Sequence, residues 1–133
     1  MFKIGYTERK IFSYTQDDVI KFSEISGDDN PIHLDSEYAK NTIFKKPIIH
    51  GLLGVSIFSK MLGTSLYGHG TIYLKQDFKF IRPMYVDKNY EAEVKIINID
   101  KEKHRAVVKT SIFDEDLNLI VKGEGLIQNE KIY

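Results

Sequence analysis

The chain has 133 residues, 42% apolar and 29% charged, a length that fits one domain and a balance that can bury a continuous core without metal or disulfide. It has no cysteine, which excludes a disulfide framework, a thiolate nucleophile and any cysteine-ligated metal. Nineteen basic residues cancel nineteen acidic ones, which argues against a dedicated nucleic-acid binder, and no apolar run approaches the roughly 18 residues of a membrane span. The opening Met1-Phe2-Lys3-Ile4-Gly5-Tyr6 lacks the apolar stretch of a secretion signal. The expectation is therefore a soluble, cytoplasmic protein, folded as a single domain over residues 1–133, with neither nucleic acid nor membrane as partner.

Lys10 to Tyr14 reads as a short strand. Thr15-Gln16-Asp17-Asp18 then reads as a helix start, with Thr15 as cap and two carboxylates at the positive end of the helix dipole. Val19, Phe22 and Ser26, with Ile25 beside them, form one stripe of that helix, and Gly27 ends it. A non-helical loop is expected from Asp28 to Leu34, and Asp35 caps a short helix through Tyr38 and Ala39. After a second loop, His50-Gly51 opens a third helix running to about Leu66. Leu52, Leu53, Val55, Ile57, Phe58, Met61 and Leu62 cover nearly its whole circumference, so the rest of the chain is expected to wrap it.

The second half reads as strands. Thr71 to Ile81 alternates, with Ile72, Leu74, Phe78 and Phe80 on one face and Gln76 as the exception. Tyr90, Ala92, Val94 and Ile96 alternate with charged residues, and Ala106 to Phe113 and Leu119 to Ile127 complete the set. The short turns at Asp100–Lys103 and Asp114–Asp116 make the strands antiparallel. The fold class is α+β: a curved antiparallel sheet around one apolar helix. Its exposed edge strands are covered if two subunits pair, so a homodimer or a higher homo-oligomer is expected.

Asp28 and His33 stand five residues apart in a segment stiffened by Pro31, with Asn30 held extended before it. A carboxylate and an imidazole brought toward one point can share a water, one taking a proton while the other supplies one. The string Gly-Asp-Asp-Asn-Pro is equally an ordinary polar turn. Gly51 and His50 sit where a helix begins, at its unpaired N–H groups, where a substrate carbonyl could be polarised. The alternative is that Gly51 only eases the chain into the helix and His50 is a satisfied core or cap residue. Ser59 is a hydroxyl on an apolar helix that bonds either the carbonyl four residues back or a side chain from elsewhere, and Ser56 competes with it.

Phe22 to His33, followed by Ala39, resembles the motif of the (R)-specific enoyl-CoA hydratases of the MaoC-like group. The resemblance continues through Pro47 to Leu53, Ile57-Phe58-Ser59 and Phe78 to Pro83, and covers nearly the whole chain. It implies a hot-dog fold, a dimer, and syn addition of water to trans-2-enoyl-CoA giving (R)-3-hydroxyacyl-CoA. It implies no metal and no cofactor, coenzyme A being part of the acyl-thioester substrate. Carried over by position, Asp28 and His33 match the catalytic pair, with His33 favoured as base and Asp28 as proton donor. Asn30 matches the asparagine that supports the loop, Ser59 the serine that hydrogen-bonds the aspartate, and Gly51 the glycine whose N–H holds the thioester oxygen. A β-hydroxyacyl-carrier-protein dehydratase, a thioesterase and a non-catalytic acyl-thioester binding module are the alternatives.

Overall fold

Six strands form one antiparallel sheet in the computed structural model, which describes residues 2–133. The strands are β1 (Thr7–Phe12), β2 (Ile72–Gln76), β3 (Lys79–Phe80), β4 (Tyr90–Asp100), β5 (Arg105–Phe113) and β6 (Leu119–Gln128), in the order β1-β4-β5-β6-β2. Strand β3 also pairs with β6. The helices are α1 (Gln16–Ser26), α2 (Pro31–Leu34), α3 (Ser36–Lys40) and α4 (Gly51–Met61), the last continuing as a π-helical turn over Leu62–Leu66. None of the helices in the described residues is long and apolar enough to cross a membrane.

Local chemistry sets the ends of α1. The Thr15 hydroxyl accepts from the Asp18 N–H while the Asp18 carboxylate accepts from the Thr15 N–H, a reciprocal cap. At the other end Gly27 takes a left-handed φ of 78° and returns its N–H to the Ser23 carbonyl. The buried positions of α1 are Val19 and Ser23, four residues apart. Ile25, expected on the inner stripe, lies 88% exposed.

Alternation in β4 is realised as expected: Tyr90, Ala92, Val94 and Ile96 are buried beneath α4 in the common core, with Val108, Ile112 and Val121 from the neighbouring strands. The single strand expected over residues 71–81 is broken into β2 and β3 at Asp77-Phe78. A glycine of β6 makes the break possible. A Cβ at Gly123 would lie 1.9 Å from the Asp77 backbone carbonyl oxygen, so this crossing requires a missing side chain there, whereas one at Gly125 would meet only Gln76 Oε1, at 2.5 Å, the end of a side chain that can shift. Asp77 donates its N–H to the Glu124 carbonyl at 3.0 Å and its carboxylate accepts the Glu124 N–H at 3.2 Å. Gln76 breaks the apolar alternation because it turns to the interior, where its Nε2 donates to the fully buried Thr110 hydroxyl.

Helix α4 corrects the expectation of a helix wrapped on all sides. Leu53, Gly54, Val55, Ile57, Phe58 and Met61 are buried, but Leu52 is 67% exposed and Ser56 and Ser59 are exposed with it. Ile72 and Leu74 of β2 are also open. The chain covers most of its central helix and leaves one apolar stripe beside one sheet edge.

Candidate active site

The segment from Asp28 to Leu34 differs from the expected loop. Pro31 starts a single helical turn, α2, because proline at the first helical position loses no hydrogen bond and has its φ preset. Asn30 is extended, as a residue before proline must be, and its side-chain oxygen accepts from the Ile32 N–H at 3.3 Å. Asn30 is thus the N-cap of α2. Its own N–H donates to Asp28 Oδ1 at 3.3 Å. The turn is tied down from outside: Gln16 Nε2 donates to the His33 carbonyl at 3.0 Å, and the Ile48 N–H donates to the Ile32 carbonyl at 3.1 Å.

His33 is buried and its orientation is fixed. Nδ1 lies 2.8 Å from the Ile48 carbonyl oxygen, which can only accept, so Nδ1 carries a hydrogen and, in the neutral ring, the lone pair is on Nε2. That Nε2 lies 4.0 Å from Asp28 Oδ2, whose side chain is half exposed. With hydrogen bonds of about 2.8 Å to each, one water could bridge this gap, seeing the two groups at about 90°.

His50 caps α4 through its backbone and makes no side-chain cap bond. It is 2% exposed, and its Nε2 lies 3.1 Å from the Asp28 carbonyl oxygen and 3.1 Å from the Ser23 hydroxyl. Its ring stacks on His33 with centroids 3.9 Å apart and planes 27° apart. Burial holds its pKa below the usual histidine value. The expected thioester-binding role for His50 is corrected by this placement, since the nitrogen that could donate is already taken by the loop. Asp28, His33 and His50 offer ligand atoms within 4.8 Å of one another. Each imidazole has one nitrogen committed to a backbone carbonyl.

Gly51 is the first residue of α4, and its N–H meets no acceptor among the described residues. It lies on the wall of a cavity of about 750 Å³ that also takes in Asp28, His33, His50 and the apolar side chains of Leu52 and Met84. The ring of Phe80 packs on Gly51 so closely that a Cβ there would be 2.7 Å from its Cε1. The glycine thus serves packing and access together.

Ser59 is not brought to this site. It is exposed and lines a different cavity with Tyr73, Gln76 and Phe78, and no hydrogen bond joins it to Asp28 within the chain. The physical reason is its place two turns along α4 from Gly51, on the open stripe. Ser56, the competitor, is bonded to the Leu53 carbonyl at 2.6 Å and to the Tyr14 hydroxyl at 3.2 Å. Two residues of the site escaped the sequence reading: Ser23, whose inward position follows from its four-residue spacing to Val19, and Ile48, which acts through a carbonyl that no side chain advertises.

A family model described as the MaoC like domain matches residues 4–116. The chain belongs to the MaoC-like domain family. Within it, the chain is 36% identical over 126 residues to the (R)-specific enoyl-CoA hydratase of Aeromonas caviae, covering 95% of this chain and 94% of that protein. It is 34% identical over 131 residues to the 3-hydroxybutyryl-CoA dehydratase of Methylorubrum extorquens, covering 97% and 82%. Among solved structures, an (R)-hydratase from A. caviae involved in PHA biosynthesis superposes with a TM-score of 0.93 at 36% identity, over 96% of this chain and 97% of that one. The sheet around α4 is accordingly the hot-dog fold of the MaoC-like domains.

Proposed function

We propose that this MaoC-like protein is an (R)-specific enoyl-CoA hydratase, a hydro-lyase that reversibly adds water to trans-2-enoyl-CoA and gives (R)-3-hydroxyacyl-CoA. The observation that carries this reading is the free Nε2 of His33 facing the Asp28 carboxyl across 4.0 Å, at an apolar cavity that also contains a helix N-terminus. The relatives' hydratase and dehydratase chemistry supports it.

The thioester carbonyl docks against the Gly51 N–H, where the helix dipole and an unpaired donor favour the charge that develops on oxygen. A water between Asp28 and His33 faces C3 of the enoyl group. His33 Nε2 takes one proton from it as the oxygen bonds to C3, and Asp28 delivers a proton to C2. Both additions occur from the face on which the pair stands, which is syn. Proton return from the His33 imidazolium to Asp28 restores the pair. The reaction changes no oxidation state overall, so no cofactor is required and coenzyme A serves as the substrate's carrier. The reading takes the cytoplasm as the site of this activity.

The reading includes a single domain and a homodimer. A second copy laid on the open stripe of α4 and the adjoining β2 edge would cover Leu52, Ile72 and Leu74. Ser59 lies on that stripe, so its partners are expected at the interface.

Purified protein mixed with crotonyl-CoA tests the reading. Loss of the conjugated-enoyl absorbance, with (R)-3-hydroxybutyryl-CoA as product and no free thiol, is expected. Release of free coenzyme A would make the protein a thioesterase. Binding without turnover would make it a carrier module, and turnover only on acyl-carrier-protein substrates would make it the corresponding dehydratase.

A further inference from the structure

The hydration chemistry uses His33 and Asp28 and leaves a second, more deeply buried imidazole unexplained. The Asp28 carbonyl can only accept a hydrogen bond, so His50 Nε2 carries the hydrogen, shared with the Ser23 hydroxyl oxygen, both at 3.1 Å. Nδ1 then holds a lone pair, and it is buried with no hydrogen-bond partner among the described residues. The ring of Phe22 packs on His50 with centroids 4.7 Å apart, and the ring of His33 stacks on it at 3.9 Å. The titratable groups facing His50 are Asp28 and His33. A second proton on His50 would bury an N–H with nothing to accept it and would set a cation against the face of His33. His50 is therefore the ring that stays neutral, leaving His33 as the one that cycles its proton.

We propose that His50 is a positioning residue for the hydration reaction: its Nε2–H holds the backbone of Asp28, and its face holds the plane of His33. One ring thereby fixes both members of the pair relative to each other. The spacing matters because the reacting water must reach both groups, and misplacement by about 1 Å costs on the order of 100-fold in rate. This role rests on the hydratase reading above, but the geometry can be read without turnover.

Two variants and one spectrum test it. His50→Leu keeps apolar bulk without a donor, and His50→Gln keeps a donor in similar volume. On crotonyl-CoA, His50→Leu is expected to lose about 10- to 100-fold in kcat with KM changed less than about threefold, and His50→Gln to recover most of that loss. Nitrogen-15 spectra of the imidazoles are expected to show His50 as the neutral Nε2–H tautomer and His33 as the Nδ1–H tautomer in the native protein. In His50→Leu, His33 is expected to lose its single tautomer. The proposal is overturned if His50→Leu keeps native kcat, if His50→Gln is as impaired as His50→Leu at equal melting temperature, or if His50 is found as the Nδ1–H tautomer. Should the native protein not hydrate enoyl-CoA at all, the functional reading falls, while the tautomer of His50 in the native protein and that of His33 in the two variants still decide the positioning claim.

Discussion

Gly51→Ala separates the two roles that meet at the start of α4. The new Cβ would lie 2.7, 3.0 and 3.2 Å from three carbons of the Phe80 ring, against ordinary contacts of about 3.5–4.0 Å. Phe80 is half exposed and the ring is the far end of its side chain, so it can swing away. Overpacking of this kind costs about 1–3 kcal/mol, and replacing glycine in a helix returns about 0.5–1 kcal/mol, leaving a net loss near 1 kcal/mol. For a chain of this size that lowers the melting temperature by about 3–5 °C. Activity should suffer much more. The displaced ring and the new methyl group occupy the place where the thioester oxygen approaches the Gly51 N–H, and loss of one such donor costs on the order of 100- to 1000-fold. Crotonyl-CoA hydration and thermal melting, measured on the same preparation, give both numbers. A folded Gly51→Ala protein hydrating within about threefold of the native rate would refute the placement of the carbonyl.

Three further outcomes follow from other parts of the molecule. Gly123→Ala puts a Cβ against the Asp77 backbone carbonyl and disrupts both Asp77–Glu124 hydrogen bonds, an expected cost of about 3–4 kcal/mol. A melting temperature within about 2 °C of native would show that the β2–β3 crossing is not as tight as drawn. His50 binds its proton more weakly in the folded chain than at its ordinary value of 6.5, so the stability it contributes is whole above that pH. That contribution drains away as pH falls toward the lowered folded value. Urea midpoints between pH 7.5 and 5.5 should therefore fall more steeply for the native protein than for His50→Gln, and equal slopes would remove the buried neutral ring from the account. Leu52→Asp, at an exposed position, should leave the fold intact and shift the mass in solution from twice the 15.4 kDa chain to one. An unchanged mass would move the dimer interface off α4.

Features that depend on a few neighbouring residues were legible in the sequence. Thr15 and Gly27 mark the ends of α1 by capping chemistry, and the alternation from Tyr90 to Ile96 records one buried face of β4. Asp28 and His33 were visible as a pair because Asn30 and Pro31 restrict the chain between them. Other features depend on residues far apart. The break after Gln76 depends on Gly123, nearly fifty residues later, and periodicity within β2 carries no trace of it. Asp28 to Leu34 was read as a non-helical loop, but Pro31 at the first position of a turn starts a helix. The composition of α4 told how apolar the helix is but not what covers it, which is why Leu52 and Ser59 were placed inside. The contacts of His50 with the Asp28 carbonyl and the face of His33 were invisible because they exist only after α1, the loop and α4 have met.

The most direct test of the central claim is the turnover of crotonyl-CoA by Asp28→Asn. This change keeps shape and removes the carboxyl chemistry, and the side chain is half exposed, so melting should be unaltered. Loss of an acid–base group of this kind is worth about 100- to 10,000-fold in rate. The account predicts a hydration rate reduced by that factor in a protein that melts like the native one. A folded Asp28→Asn protein that hydrates within tenfold of the native rate would contradict it.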